Sequence, residues 1–479
     1  MKVTFASGVD TVTGANFLLE IGRKPATKGG VGEESWRVLI DCGMVQGEQT
    51  AMKENHEPFI YDAKTVDMLF VTHAHLDHVG RIPKLVKDGF SGVIYSTLET
   101  MELGKLIMED AVTLIDKEAR QEGILPLYGI ADVEAALRLW KTIPYHVETP
   151  IEGGHSAGGF SVYLRDAGHI LGSTMYRFSV KEEIHDKKGI SKIVEKNIVF
   201  TGDLGNTPTP ILRDTESIEG AEYVVMESVY GDRNHEPKDQ RRAQLQRVIK
   251  DTILRGGTLI IPAFSVERTQ VLLYELNALV EAKVIPSIPI FVDSPLAIKV
   301  TDIYKASKSL FNPAAQAQIA RGDDIFSFPN LMYTMTGEES RSIDHARAPK
   351  IILAGSGMSM GGRVTHHEAI YLPDPKNTIL LVGFQPIGTL GRRILDGLRE
   401  VNINGVKTPV NARIESIMGY SAHKDSDSLV EFVRTAQSTI KRVFVVMGEP
   451  KTAAFLAQRL HHDLGLDAVH PTGRVTYEI

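Results

Sequence analysis

The stretch His73-Ala-His75-Leu-Asp77-His78 follows the apolar run Val66-Asp-Met-Leu-Phe-Val71 and precedes the helix-like Val79-Gly-Arg-Ile-Pro-Lys-Leu-Val86. Four side chains able to ligate a metal therefore stand on one tight strand-to-helix turn. Imidazole and carboxylate suit zinc, and catalytic zinc sites keep a position open for water. Residues two apart in an extended segment point the same way, so His73 and His75 can chelate one ion from a single strand end. Asp77 and His78 lie past the bend and can face a second ion. Loops are commonly polar, but three histidines and an aspartate within six positions are hard to obtain on that ground alone. The stretch reads as the centre of a divalent-metal site.

Further ligand candidates lie downstream. His169 stands in Asp166-Ala-Gly-His169-Ile-Leu-Gly-Ser173, after the strand-like Phe160–Arg165, and Asp203 stands in Thr201-Gly-Asp203-Leu-Gly205, after Lys196–Phe200. Asp41 ends the apolar run of Val38-Leu-Ile-Asp41-Cys-Gly43. Each is a polar residue terminating an apolar strand, where a scaffold places its chemistry. Taken singly, each also suits an ordinary strand-end turn.

With 479 residues the chain exceeds one ordinary core, so two domains are expected. A hydrophobic content of 43% and a charged content of 24% are those of a soluble globular protein. The net charge of −7 excludes a surface that is basic throughout, so any nucleic acid must meet a local basic groove. The single cysteine, Cys42, excludes an intramolecular disulfide and reads as a small buried residue. No apolar stretch has membrane-spanning length, and Met1–Asp10 is charged and polar where a signal peptide would be apolar. A cytoplasmic protein with no membrane partner is expected.

Residues 1–228 are rich in short strands: Val3–Ser7, Phe17–Ile21, Arg37–Asp41, Asp67–Thr72, Gly92–Tyr95, Ser161–Arg165, Met175–Val180, Asn197–Thr201 and Glu222–Met226. The polar inserts Lys24–Ser35 and Glu182–Glu195 read as exposed hairpin loops. Leu, Ile and Met at helical spacing predict core-packed helices over Met101–Arg120 and Ala131–Lys141. From residue 229 helices alternate with strands (Gln240–Arg255, Thr258–Pro262, Arg268–Glu281, Pro289–Val292, Lys350–Ala354, Thr378–Gly383), a pattern of parallel sheet flanked by helices. Residues 412–479 return to short elements: Ile414–Gly419, Ser426–Arg434, Arg442–Met447 and Thr452–Leu464.

The ordered set Asp41, His73-x-His75-x-Asp77-His78, His169 and Asp203 resembles the signature of the metallo-β-lactamase superfamily. Downstream, Glu227-Ser-Val-Tyr-Gly231, Ile261-Pro-Ala-Phe-Ser-Val-Glu-Arg-Thr-Gln270, Val292-Asp-Ser-Pro-Leu296, Gly355-Ser-Gly-Met358 with Gly361-Gly-Arg363, Val382-Gly-Phe-Gln385 and Tyr420-Ser-Ala-His423 resemble its β-CASP branch, nucleases of RNA processing and DNA repair. The resemblance covers nearly the whole chain. It implies an α/β fold: a metallo-β-lactamase αββα sandwich built from residues 1–228 and 412–479, with a β-CASP domain, a parallel sheet flanked by helices, inserted as residues 229–411.

The same resemblance implies a metal-dependent ribonuclease that hydrolyses phosphodiester bonds of single-stranded RNA by a metal-activated hydroxide, in a basic cleft between the domains. His73, His75 and His169 would hold one Zn2+, Asp77 and His78 a second, and Asp203 would bridge them. Asp41 would orient a ligand histidine. Asp77 and His423 would be catalytic, His423 as general acid oriented by Glu227, since a carboxylate partner favours a protonated imidazole. Ser356, Gly357 and Arg363, on a glycine-rich loop after a strand, could hold a substrate phosphate, or form a plain turn. His366 and His367 begin a helix-like stretch and read as structural or substrate-lining.

One position departs from the pattern. RNA-processing members of the family carry a ligand histidine in a His-Gly-Glu segment, and here the matching segment is Met447-Gly-Glu449. A thioether cannot replace imidazole in a hydrolytic site, so the second ion is expected to bind more weakly or to be Mn2+. An apolar residue at this position resembles the DNA-processing members, whereas Gly355–Met358 and Ser421–His423 resemble bacterial and archaeal RNA nucleases. RNA is the favoured substrate and DNA the alternative. A catalytically weak RNA-binding subunit and a small-molecule hydrolase of the wider superfamily are the other readings, and a homodimer is compatible with the chain.

Overall fold

A computed structural model describes the chain apart from residues 22–34, 48–49, 152–158, 186–190, 237, 384 and 386–387. The polar insert expected over Lys24–Ser35 therefore lies, Ser35 excepted, outside the described residues, as do part of Glu182–Glu195 and one position of the Val382–Gln385 motif. The chain forms two compact units: Met1–Thr209, Asp214–Asn234 and His423–Ile479 make the first, and Pro210–Arg213 with His235–Ala422 the second.

The first unit contains two seven-stranded sheets. One runs, in spatial order, Thr476–Glu478, Lys2–Ser7, Asn16–Ile21, Trp36–Ile40, Met68–Phe70, Val93–Ser96, Trp140–Thr142. The other runs Ala468–Val469, Arg442–Val445, Tyr223–Met226, Ser191–Phe200, Thr174–His185, Phe160–Asp166, Thr149–Ile151. Alternation with period two assigns each strand's side chains to two apolar faces. Phe17, Leu19, Val38, Ile40, Met68 and Phe70 meet Phe160, Phe178, Ile198, Phe200 and Phe444 in one core between the sheets. Their neighbours Leu18, Leu39 and Leu69 pack outward against helices that include Leu98–Glu122 and Ile130–Arg138. Val199, Val224 and Val443 pack on the opposite side against Ser426–Arg434 and Pro450–Leu464. The result is an αββα sandwich.

Two local readings change. The helix expected over Ala131–Lys141 stops at Arg138, because Trp140 joins the first sheet beside Ile94 and its indole donates to Ser96 Oγ at 2.8 Å. The long paired strands Thr174–His185 and Ser191–Phe200 extend into the described parts of the second insert, in register from His185–Ser191 to Tyr176–Phe200.

The second unit is built on a six-stranded parallel sheet, in the order Leu331–Tyr333, Ile290–Asp293, Lys350–Ala354, Thr258–Pro262, Thr378–Leu381, Arg413–Ser416. Its four central strands are buried throughout, the continuous apolar pattern of a parallel sheet covered on both faces. Arg413–Ser416, grouped by sequence with the C-terminal stretch, pairs with Thr378–Leu381 and so closes this sheet. His366 and His367 do not begin a helix; they lie inside Gly362–Tyr371.

Asp293 organises the carboxyl end of this sheet. Its fully buried carboxylate accepts from Thr334 Oγ1 at 2.7 Å, Ser340 Oγ at 2.7 Å, Arg363 Nη1 at 2.6 Å and His367 Nε2 at 2.7 Å. Burial would raise its pKa, but these hydrogen bonds, His367's first among them, outweigh it and hold the group down at about 2. The folded value lies below that of an unfolded aspartate, so the stabilisation is complete above about pH 4 and is lost as pH falls toward 2. Asp293→Asn should cost on the order of 2 kcal/mol at pH 7. Urea midpoints of the two proteins should converge as pH is lowered below about 4; a gap independent of pH would contradict this.

Candidate metal centre

The loop ends of the first unit bring the expected ligands together. His73 Nε2 lies 3.1 Å from His75 Nδ1, and His169 Nε2 lies 3.2 Å from the same atom. Asp203 Oδ2 is 3.4 Å from His73 Nε2 and 3.6 Å from His169 Nε2. Two ligands each about 2.1 Å from a tetrahedral zinc stand about 3.4 Å apart, so these spacings suit one ion. Asp77, His78 and Asp203 form a second group able to hold a metal, and Asp203, Glu227 and His423 a third. Asp203 is common to all three.

The tautomers of this cluster follow from one buried carboxylate and one hydroxyl. Asp41, at φ 58° beyond the strand Trp36–Ile40, accepts from Thr72 N and Thr72 Oγ1, both at 2.8 Å. It also accepts from His78 Nδ1 at 2.7 Å, which leaves His78 Nε2 facing Asp77 and Asp203. Thr72 Oγ1 donates to Asp41 and therefore receives His73 Nδ1–H at 3.1 Å, which aims His73 Nε2 at the cluster. His78 Nε2 and Asp203 Oδ1 are buried without a hydrogen-bond partner, 3.5 Å apart. Buried polar atoms are nearly always paired, so this orphaned donor set fits a cation. Thr72 was missed in the sequence reading, although it directly precedes His73.

Electrostatics agree with the geometry. Burial pulls His75 and His169 well below the usual imidazole range, helped by His73 and His423 respectively, so both rings are neutral as metal binding requires. Burial works against charge on His78, but Asp203, Asp41 and Asp77 outweigh it and hold its pKa well above the usual value. Burial likewise opposes the charge of Asp203, which His78 and His73 nonetheless keep ionised. Burial raises Asp77. The carboxylates thus favour positive charge where a metal would replace a proton.

Close backbone approach fixes the loops. A Cβ on Gly205 would fall 1.8 Å from the carbonyl oxygen of Gly168, and one on Gly43 1.5 Å from that of Asp77. Gly205 also forms an antiparallel bridge with His423, joining the Asp203 loop to the His423 loop. His423 Nδ1 faces both oxygens of Glu227 at 3.2 Å, and Glu227 accepts from Leu204 N at 2.6 Å. Burial lowers the His423 pKa, but the charge and hydrogen bond of Glu227, then Asp203 and Asp77, raise it to about 9. Burial raises Glu227 itself.

Met447 stands at φ 51° and is buried in the core between the sheets. Its amide donates to Gly8 O at 2.8 Å, and its sulfur lies 2.8 Å from where a Gly8 Cβ would be. It also lines a small pocket with Asp41, His78 and Glu227. In the second unit, Ser356 Oγ exchanges hydrogen bonds with Met360 at 3.1 Å, and Gly357 O accepts from Gln385 Nε2 at 2.9 Å. The Arg363 guanidinium, expected at a phosphate, directs Nη1 to Asp293 and Thr334 O and Nη2 to Met335 O, and so braces the sheet end. His366 pairs with Asp344 at 2.9 Å.

Two face-packed sheets under outer helices, with histidines and aspartates gathered at their strand ends, define a metallo-hydrolase of the metallo-β-lactamase fold. Family descriptions match in three places: a metallo-beta-lactamase superfamily domain at residues 31–186, a Beta-Casp domain at 269–394 and a Zn-dependent metallo-hydrolase RNA specificity domain at 407–471. The chain is 34% identical over 462 residues to a protein named Ribonuclease TTHA0252 from Thermus thermophilus, covering 96% of each. Proteins named Transcription termination factor FttA are also similar. That of Methanosarcina mazei is 31% identical over 90% of this chain and 66% of its own length, and that of Thermococcus kodakarensis 30% over 96% and 70%. The chain belongs to the β-CASP family of the metallo-β-lactamase superfamily.

Asp41→Asn preserves size but loses the acceptor for His78 Nδ1–H. Metal affinity should fall about 10- to 100-fold, read by competition with a chromophoric chelator, with circular dichroism unchanged. Equal affinity would show that Asp41 has no orienting role.

Proposed function

We propose that this protein is a metal-dependent ribonuclease hydrolysing phosphodiester bonds of single-stranded RNA. The observation that carries the reading is the convergence of His73, His75, His169 and Asp203, beside the orphaned His78 Nε2 and Asp203 Oδ1. RNA is favoured over DNA by the likeness to a protein named as a ribonuclease and by the RNA specificity domain matched at residues 407–471.

His73, His75, His169 and Asp203 would hold one Zn2+, and Asp77, His78 and Asp203 a second ion. A divalent cation bound there supplies Lewis acidity toward a phosphodiester and a lowered pKa for water. Asp41 and Thr72 keep the His78 and His73 rings turned toward the cluster. With Nδ1–H directed to Glu227, His423 carries its second proton on Nε2, in position to protonate a departing oxygen. Ser356, Gly357 and Arg363 would stand beside a substrate phosphate, with Arg363 held by Asp293.

The test is cleavage of matched end-labelled single-stranded RNA and DNA by the zinc- or manganese-loaded protein. RNA should be cut, and a His75→Ala, Asp77→Ala double variant should not cut it. Cutting of DNA alone would make Met447 the better guide to substrate, and no cutting of either would favour the RNA-binding subunit. His423→Gln should lower kcat by about a hundredfold or more while leaving bound metal unchanged; an unaltered kcat would remove it from the proton-donor role.

Met447 offers no imidazole, so the second ion should bind more weakly than the first. Met447→His should tighten the second zinc at least tenfold in calorimetric titration. Equal affinity in both proteins would contradict a role for this position in metal retention.

A further inference from the structure

Phe264 follows the strand Thr258–Pro262 at the carboxyl end of the second unit's parallel sheet, and 37% of it is exposed. Isolated exposed apolar side chains are common and demand no function. This ring, however, is held by the backbone of its neighbours. A Cβ on Gly357 would sit 2.7 Å from Phe264 Cδ2 and 2.9 Å from Cε2, and one on Gly383 3.5 Å from Cε2. Two loops therefore lack side chains where the ring edge lies. The Phe264 carbonyl is fixed by Thr269 N at 3.2 Å and Thr269 Oγ1 at 2.8 Å. A rigid aromatic ring is thus kept partly in solvent.

Its place in the sheet is the second observation. The connections after Ile290–Asp293 and Lys350–Ala354 depart toward opposite edges of the sheet, and such switch points are where parallel α/β sheets bind ligands. Phe264 adjoins this point, since Ala263 N bonds Ala354 O at 3.0 Å. Ser265 Oγ and Ser294 Oγ, 3.3 Å apart, stand beside Gly355. Met360, 54% exposed, stands on the same glycine-rich loop. One aromatic ring and one methionine are too small an apolar area for a stable protein interface. They match a planar heteroaromatic ring with polar edges.

We propose that Phe264 is a stacking platform for a nucleobase of single-stranded RNA, a subsite that rests on the ribonuclease reading above. Stacking on an aromatic side chain tolerates any base and strengthens binding about tenfold or more for each base.

The experiment is kcat/KM for metal-loaded protein on a set of RNA oligonucleotides, each with one abasic ribose walked along the strand, using wild type, Phe264→Leu and Phe264→Trp. In the wild type, one position should carry a penalty of about tenfold. Phe264→Leu should cut intact RNA about tenfold less well and lose that positional penalty, while Phe264→Trp keeps both. Thermal unfolding of the variants separates misfolding from loss of stacking, and Phe264→Trp retains the test if Phe264→Leu does not fold. Equal abasic penalties at every position in all three proteins would overturn the proposal and leave the ribonuclease reading intact. Failure of the wild type to cut intact RNA would overturn both.

Discussion

His73 Nε2, His75 Nδ1 and His169 Nε2 approach one another to 3.1 and 3.2 Å, and at that spacing imidazole lone pairs repel unless a proton or a cation stands among them. Much of the first unit is arranged around this demand. His73 and His75 come from the end of one strand, His169 and Asp203 from loops of the opposing sheet. The glycines at 43 and 205 let the intervening backbones pass close enough to bring the side chains together. Asp41 and Thr72 then fix ring orientation from behind, through hydrogen bonds that water cannot reach. Burying these carboxylates and imidazoles together is costly, and the carboxylates favour positive charge beside them, so the cluster is a stored electrostatic preference rather than a contribution to stability.

The second unit solves a different problem. Its sheet ends on a buried aspartate whose charge is answered by Arg363, His367 and two hydroxyls, and the partly exposed ring of Phe264 stands after the neighbouring strand Thr258–Pro262.

The residues that converge in the cluster were legible because metal chelation demands close local spacing, and because each distant member follows an apolar run. The strands were legible as short apolar runs such as Phe17–Ile21, whereas the sandwich they build was implied by the family resemblance; its physical basis is that Phe17 and Leu19 face one core and Leu18 the other. Thr72 was not legible: its importance lies in what its hydroxyl touches across 31 positions of sequence. The bracing role of Arg363 was not legible for a related reason, since Asp293, which its guanidinium meets, lies 70 positions earlier. Trp140 left its expected helix because the sheet edge offered both a strand partner and Ser96 for the indole. The helix Pro295–Ala306 was passed over, although Ser294 caps it and proline opens it.

The most direct test of the account is the zinc content of the full chain after equilibrium dialysis, beside a His73→Ala, His169→Ala variant. At least one tightly held ion per chain in the wild type, absent from the variant with its circular dichroism unchanged, is the expected result. Equal zinc in both proteins, or none in the wild type, would contradict the assignment of this cluster as a metal centre.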